Sequence, residues 1–545
     1  MPTARQKRLT LVACILGSAI VFIDGTVVNV ALPAIRRDLH AGLATQQWVM
    51  EAYLLMLGSL ILIGGSLSDL FGRRRVFTLG VLGFGATSLL CAVAPSSTLL
   101  VFARGLQGAA GALLVPSALA VIVDTFPEDE RGAAIGSWTA WGGISTLIGP
   151  LLGGFLIQAA SWRWVFALSL VPVAGALYLI RRHVPEHLDR SVHRHVDVAG
   201  AALCALGLAG VVLALIEQPT RGWSDPLVLP PLLIGVASLV LFVAQERRAR
   251  DPMLPLSLFR RRNFAFGNLA TLLVYAGLGA ATFFLPVYLQ QVAGYRPVEA
   301  GLSLLPVTIV MFGLSRRWGA LADRLGPRLF MSVGPLVAGA GLLLLVRAGH
   351  EAPYMSIVFP AMLLFGFGLS ITVAPLTAAV LAGVDDEHAG VASGVNNAVA
   401  RVAGLLAIGV VGALVSAQFG SRLDDRLAGA RLHPPARAAV ERARSRPLTV
   451  DAARTLPPRE RATVRRGLED ASVRAFRVGM AASALLTMLG GVISAVGIVN
   501  PRRRAASECP GGALVGASRE LGRARRVEPF PHHGGEKAPL IGPRV

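Results

Sequence analysis

The stretch GGSLSDLFGRRR, at residues 64–75, places one Asp and three Arg at a glycine-containing corner between two long apolar runs. A second stretch, GALADRLGPR at residues 319–328, repeats its order of Gly, Asp, Gly and Arg. This recurrence predicts an internal duplication in which each half of the chain carries one corner. Because the flanking apolar runs are long, each corner is expected to connect two membrane-crossing helices.

The composition indicates a membrane protein. Of 545 residues, 54% are hydrophobic and 15% are charged, and the mean hydropathy is +0.60, whereas soluble domains contain about a quarter charged residues. The formal net charge of +20 comes from Arg clusters between apolar runs, which indicates topology signals and argues against a nucleic-acid-binding surface. The two lysines, Lys7 and Lys537, lie outside any P-loop pattern, so ATP binding by such a loop is excluded.

A membrane-crossing helix needs about 20 mostly apolar residues. This length predicts fourteen spans, at approximately residues 9–33, 47–68, 76–94, 98–122, 133–158, 163–181, 197–217, 226–245, 264–290, 298–315, 328–347, 354–382, 390–418 and 476–499. The first corner follows span 2, so a duplicated six-span unit would place the second corner after span 8. It follows span 10, which predicts two extra spans between two halves of six.

The predicted fold is therefore an all-α integral membrane protein with an N-terminal six-helix bundle at 9–181, two inserted helices at 197–245 and a C-terminal six-helix bundle at 264–499. We interpret an Arg-rich loop at 419–475 as a solvated outer cap or a substrate lid, and we expect 500–545 to be a disordered cytoplasmic tail. The Arg and Lys residues of the short loops favour cytoplasmic N- and C-termini in the cytoplasmic membrane. The Arg-rich loop at 419–475 conflicts with this orientation, because it places many Arg residues on the outer side.

Several motifs resemble those of the major facilitator superfamily, and the fourteen predicted spans resemble its drug:proton antiporter branch. In chain order they are DGTVVNVALP (24–33), GSLSDLFGRRR (65–75), RGLQGAAGA (104–112), GPLLGG (149–154), WRWVF (162–166), YLQQVAGYRPVEAGLSLLP (288–306) and GVASGVNNAVARVAG (390–404). Leu70, Ser145 and Ser169 depart from the family pattern, in which a basic residue, a Gly and an Asn are usual. The resemblance implies a transporter that needs no cofactor, with protons as the coupling ion.

The corner residues are predicted to control the conformation. Asp69 can accept hydrogen bonds from helix amides or pair with Arg73 or Arg74, and Gly72 permits a tight turn. The resemblance implies that this loop latches the two halves together on the cytoplasmic side, whereas the alternative is that the Arg cluster only enforces topology. The predicted gating residues are Gly65, Asp69, Gly72, Arg73, Arg74, Asp323, Arg324 and Gly326.

Ionisable side chains inside a span are costly and therefore mark functional positions. We predict Asp24 as the principal protonation site, Arg104 as the residue that tunes it, and Glu51 as a second carboxylate near the outer entrance. An Arg beside a carboxylate favours the ionised form and apolar burial favours the protonated form, so movement between the two would load and release a proton. The alternatives are a structural hydrogen bond for Asp24, a packing ion pair for Arg104 and a water-exposed interface position for Glu51.

Span 5 carries a run of small residues that resembles the antiporter motif. Gly149, Gly153 and Gly154 permit close helix approach, and Pro150 bends the helix. The resemblance implies export and a seal against proton leak, and ordinary small-residue packing is the alternative.

Spans 9 to 14 show no clear Asp or Glu at mid-depth, which predicts an amphipathic substrate with at most one positive charge. The candidate cavity residues are Trp138, Trp141, Tyr275, Phe283, Phe284, Tyr288, Met362, Asn396, Asn397 and Arg401. Core or lipid packing is the alternative for each aromatic or Met. Arg401 can meet a negative group of the substrate, or it can be locked to backbone carbonyls, Asn396 or Asn397.

Together these features predict a proton-coupled exporter of hydrophobic or amphipathic drug-like compounds that acts as a monomer in the bilayer and binds no metal or nucleic acid. The alternatives are an importer of a nutrient or organic anion and a membrane sensor that transports nothing.

Overall fold

The apolar runs fold into long helices, as expected of segments that must satisfy their backbone hydrogen bonds without water. A computed structural model describes residues 3–186, 197–249, 252, 254–381, 386–428, 430, 432–444, 447–450 and 456–500. Most of the predicted tail, from residue 501 onward, lies outside the described residues.

The first half contains α1 (Ala4–Asp38), α2 (Leu43–Phe71), α3 (Arg73–Ala92), α4 (Ser97–Thr125), α5 (Glu128–Ala159), α6 (Arg163–Ala167) and α7 (Leu170–His183). Two further helices follow, α8 (Val198–Arg221) and α9 (Leu229–Arg248). The second half contains α10 (Arg262–Gln291), α11 (Pro297–Leu302), α12 (Leu305–Leu325), α13 (Pro327–Leu344), α14 (Phe359–Leu381), α15 (Asp386–Leu427), α16 (Pro434–Arg444) and α17 (Pro458–Gly497).

The predicted all-helical membrane architecture is confirmed. Twelve helical segments of the described chain are long and apolar enough to cross a membrane. α2 and α5, with 29 and 32 residues, occupy the positions of predicted spans 2 and 5 but are not among these twelve. The count of fourteen spans therefore stays a prediction.

The helices pack as two bundles with a pair of helices at their border. In the first half, α1 packs against α4, α5 and α7, while α2 and α3 pack against α4. In the second half, α10 packs against α15 and α17, and α13 packs against α14 and α17. α8 contacts its partner α9 and also both α2 and α15, so the inserted pair lies along one seam between the halves.

The two halves are joined by hydrogen bonds near the turn between α1 and α2, at the end of the molecule that we call the closed face. Arg36 donates to Oε1 of Gln291 at 2.5 Å and to Oγ1 of Thr449 at 2.7 Å. Gln290 donates to the Val30 carbonyl at 3.0 Å. These bonds connect α1 to α10 and to the segment before α17.

The other end, which carries the two sequence corners at Gly72 and Gly326, is the corner face. Hydrogen bonds described there join residues of the same half, as in the 2.8 Å contact of Lys7 with Glu130. The halves are thus held together at the closed face.

The tenth span extends beyond its predicted end. The sequence predicts an end at residue 315, but α12 continues through Arg316 and Arg317 to Leu325. It stops where Gly326 adopts a φ of 89° and Pro327 starts the next helix. The second corner is therefore a direct helix-to-helix turn.

The segment predicted as a long outer loop, 419–475, is also largely helical. It contains the end of α15, all of α16 and the start of α17. Phe419, Leu423, Val464 and Leu468 are buried, so the apolar faces of α15 and α17 continue past the predicted spans and pack together.

Candidate functional site

Asp24 and Arg104, predicted as partners, are in direct contact in the interior of the first half. Nη1 of Arg104 lies 2.5 Å from Oδ2 of Asp24, and the two side chains are 0% and 1% exposed. The pair joins α1 to α4. Two charges of opposite sign at this distance compensate each other, which is the condition for keeping either one inside a membrane protein.

Gln107, which the sequence did not single out, completes this pair. Its Oε1 accepts a hydrogen bond from Nη1 of Arg104 at 2.7 Å, and its Nε2 donates to Oδ1 of Asp24 at 3.3 Å. Nε2 also donates to Oγ of Ser88 at 2.8 Å. Gln107 lies one helical turn after Arg104, so both side chains project from the same face of α4.

Helix α2 closes the other side of the guanidinium. Nε of Arg104 donates to the Val49 carbonyl at 2.9 Å, and the ring of Tyr53 lies 4.2 Å from the guanidinium carbon. The Tyr53 hydroxyl donates to the Val21 carbonyl of α1 at 3.4 Å. Stacking on an aromatic face and hydrogen bonds from one planar group are interactions that arginine makes and lysine does not reproduce.

Glu51 does not join this network. It is 0% exposed, and both carboxyl oxygens lack a hydrogen-bond partner. The alternative of a water-exposed interface position is therefore wrong for this conformation. Glu51 shares a face of α2 with Gln47 and Gly58, which contact α15: Gln47 donates to the Ile408 carbonyl at 2.9 Å, and Gly58 lies beside Arg401. Glu51 thus lies on the seam between the halves.

The glycines of the antiporter motif bring α5 against both halves. A Cβ atom at Gly149 would lie 3.0 Å from the Ile23 carbonyl oxygen, so α5 meets α1 next to Asp24. A Cβ atom at Gly154 would lie 2.7 Å from Cα of Val298, in α11 of the second half. α5 therefore has no room for a side chain at either contact.

The remaining two residues of that motif make the same kind of contact. Gly153 packs against Val27 of α1. The Pro150 carbonyl approaches Gly301 of α11, where a Cβ atom would lie 2.5 Å away.

The first corner is tied to α4 and α7. Gly72 has a φ of 96°, which glycine adopts without strain, at the turn from α2 to α3. Arg73 forms an ion pair with Asp124, and Arg74 donates to the Arg181 carbonyl at 3.1 Å. The sequence did not indicate Asp124. Gly65 packs against Pro116 of α4, and the side chain of Asp69 lies outside the described ones.

The second corner is capped by Asn500. Its Oδ1 accepts a hydrogen bond from the Arg328 amide at 3.0 Å, and its amide group contacts Gly326. Arg324 is exposed, and the side chain of Asp323 falls outside the described part of the structure. Residue 500 was assigned to the tail from sequence, so this cap was missed.

Several candidate cavity residues pack inside one half. Tyr288 stacks on Phe476 with a 3.8 Å centroid separation and donates to the Gly349 carbonyl at 2.7 Å. Phe283 and Phe284 are 0% exposed. Three further residues are placed as follows: Met362 is buried, Trp138 donates to Oγ of Ser18 at 2.9 Å and Trp141 is half exposed.

Tyr275 lies on α10 and Arg401 on α15, two helices that pack together, and Arg401 also lies beside Gly58 of α2. The Arg401 guanidinium lies within electrostatic range of the phenol groups of Tyr53 and Tyr275. No hydrogen bond joins Asn396 to Arg401 in the described part of the chain; the Asn396 amide donates to Asn268 and Thr271 of α10, at 3.2 and 2.8 Å. Asn397 is exposed.

The fold and the buried charge pair define a transporter-type membrane protein with two helical halves, and the comparisons with known proteins agree. The sequence model of the Major Facilitator Superfamily matches residues 14–408. The puromycin resistance protein pur8 of Streptomyces alboniger is 38% identical over 421 residues, which cover 76% of this chain and 83% of that protein. The tetracenomycin C resistance and export protein of Streptomyces glaucescens is 34% identical over 464 residues, which cover 84% of this chain and 85% of that protein.

A solved structure of a bacterial homologue of the human lysosomal transporter Spinster superposes with a TM-score of 0.61 at 16% identity, covering 92% of this chain and all of that one. The chain belongs to the Major Facilitator Superfamily. The predicted family and fold class are therefore confirmed.

Proposed function

We propose that the protein exports hydrophobic or amphipathic drug-like compounds across the cytoplasmic membrane in exchange for protons. Resemblance to the puromycin resistance and tetracenomycin C export proteins supports the substrate class and the direction of transport. In this proposal the N- and C-termini are cytoplasmic, so the closed face is the outer face. The structure then corresponds to a state that is sealed against the outside.

The Asp24–Arg104 pair is the observation that carries the proton-coupling part of the proposal. A carboxylate in this position is stable when ionised only while the guanidinium remains beside it. Moving α1 relative to α4 would separate the two charges, and binding a proton would then remove the negative charge. Returning the helices to the observed packing would release the proton again.

The contacts of α5 supply a route by which movement of the halves reaches Asp24. Gly154 of α5 contacts Val298 in the second half, and Gly149 of the same helix contacts Ile23 of α1. Opening the outer face must break the first contact. Because α5 is a single helix, a change in its tilt is transmitted to α1 beside Asp24.

Glu51 is proposed as a second proton-binding carboxylate on the α2–α15 seam. It is fully buried and its oxygens have no partner in the described structure, so the protonated form is the stable one in this conformation. When the seam opens toward the outside, Glu51 meets water and can ionise. At the cytoplasmic side, the ion pair of Arg73 with Asp124 holds α3 against α4 within the first half.

The test uses inverted membrane vesicles with an acidic lumen and a lipophilic fluorescent dye. Wild-type protein should concentrate the dye in the lumen, and Asp24→Asn should not, at equal amounts in the membrane. Asp425→Asn is the matched control, because Asp425 is exposed near the end of α15. Accumulation by Asp24→Asn at the wild-type rate would remove Asp24 from the mechanism.

A further inference from the structure

Arg401 is a half-buried charge that the proton pathway does not use. It lies on α15 where this helix faces α2, beside Gly58, and its side chain is only partly covered. The interactions found for its guanidinium in the described part of the chain are with two phenol groups, those of Tyr53 and Tyr275, and no carboxylate is among them.

The contrast with Arg104 shows what Arg401 lacks. Arg104 has a carboxylate at 2.5 Å, a glutamine oxygen at 2.7 Å and a backbone carbonyl at 2.9 Å. Both arginines lie within the helical core of the same molecule, where an uncompensated cation is costly. Arg401 has no ionised partner of this kind in the described part of the chain, and an anion would supply one.

Tyr275 provides a second group for such an anion. Its side chain is partly exposed on α10, the helix that packs against α15, and its hydroxyl makes no hydrogen bond with the residues that the structure describes. A phenol hydroxyl can donate one hydrogen bond, and a guanidinium presents paired donors that match a carboxylate or sulfonate. Tyr53 is not available to such an anion, because it is fully buried and its ring is covered by Arg104 at 4.2 Å.

We propose that Arg401 and Tyr275 bind an acidic group of the transported compound. The substrate class is therefore an amphiphile with one carboxylate, sulfonate or acidic hydroxyl group. This inference rests on the proposed export function and specifies its substrate. It narrows the sequence-based expectation of an amphipathic compound with at most one positive charge to acidic compounds, and it selects the alternative in which Arg401 meets a negative group of the substrate.

Two fluorescent probes with the same aromatic core test the site. 1-Anilinonaphthalene-8-sulfonate carries one negative charge, and N-phenyl-1-naphthylamine lacks the sulfonate and is neutral. Gradient-driven transport of both is measured in proteoliposomes of the full chain, and the ratio of kcat/KM for the sulfonate to that for the neutral probe is the readout. A ratio cancels changes in the amount of folded protein.

Arg401→Gln should lower this ratio about tenfold or more, as expected when one charge-assisted hydrogen bond is removed. Arg401→Lys should give a ratio between those of Arg401→Gln and the wild type, because it keeps the positive charge. Tyr275→Phe should lower the ratio severalfold. Arg437→Gln is the matched control, since Arg437 is exposed on α16, and it should leave the ratio at the wild-type value.

If Arg401→Gln lowers transport of both probes by the same factor, Arg401 is structural and the anion site is wrong, although export stands. The same conclusion holds if wild-type protein moves the neutral probe but not the sulfonate. If wild-type protein moves neither probe in response to the gradient, the proposed function fails together with this inference.

Discussion

Replacing Gln107 with Leu tests whether the buried polar residues of the first half act as one network. Gln107 holds three partners at once, with hydrogen bonds of 2.7 Å to Arg104, 3.3 Å to Asp24 and 2.8 Å to Ser88. Leu has a similar volume but can form none of these bonds. The variant therefore removes the hydrogen bonds while leaving little empty space.

The expected loss of stability follows from these bonds. A hydrogen bond to a charged group contributes about 1.5–3 kcal/mol and a neutral one about 0.5–1.5 kcal/mol. The short Arg104 bond falls in the first range, whereas the longer Asp24 bond and the neutral Ser88 bond each contribute about 1 kcal/mol. Burying an apolar side chain in place of an amide offsets part of this loss, so Gln107→Leu should lower the free energy of unfolding by about 3 kcal/mol.

The assay is equilibrium unfolding in mixed detergent micelles for wild type, Gln107→Leu, Asp24→Asn and the double variant. Substitutions within one hydrogen-bond network do not have additive effects on stability. The change in the free energy of unfolding of the double variant should therefore differ from the sum of the two single changes by at least about 1 kcal/mol, in either direction. If the sum holds within about 0.5 kcal/mol, Gln107 and Asp24 act independently and the network reasoning is wrong.

Three further predictions concern packing and the first corner. Gly154→Ala overpacks the contact of α5 with the second half and should destabilise the observed packing by about 1–3 kcal/mol. This change should lower gradient-driven flux about tenfold. Gly313→Ala should leave the flux unchanged, because nothing lies within 4 Å of a Cβ atom there. Arg73→Gln should lower flux severalfold. It should change the free energy of unfolding by less than about 1 kcal/mol, since the ion pair of Arg73 is partly exposed. The control Arg75→Gln should change neither quantity, because that side chain is 69% exposed. Tyr288→Phe should lower the free energy of unfolding by about 1 kcal/mol. It should not alter substrate preference, because the Tyr288 hydroxyl forms its hydrogen bond within the second half. A changed substrate preference would show that Tyr288 lines the substrate cavity.

The charge pair was predictable because a titratable group in an apolar run is conspicuous, and Asp24 and Arg104 are two of the few such groups in the spans. Gln107 and Tyr53 were not predictable in the same way. Uncharged polar and aromatic residues occur in many spans at little cost, and their role depends on which helices become neighbours. α2 reaches Arg104 through a backbone carbonyl, for which a sequence gives no signal.

Helix orientation accounts for the other differences. Tyr288 looked like a cavity residue, yet the face of α10 that carries it turns toward α17 inside the second half. Asp124 forms an ion pair with Arg73 from 51 positions along the chain, and no feature of the sequence pointed to it. The face on which a residue lies follows from the helical period, whereas the partner across that face follows from tertiary packing.

The central claim is that Asp24 exchanges its bound proton for substrate. The most direct measurement is the pH inside sealed proteoliposomes when a lipophilic substrate is added, with no other energy source. Wild-type protein should move protons when substrate is added, and Asp24→Asn should move none while still binding the substrate. Equal proton movement by the two proteins would contradict the account.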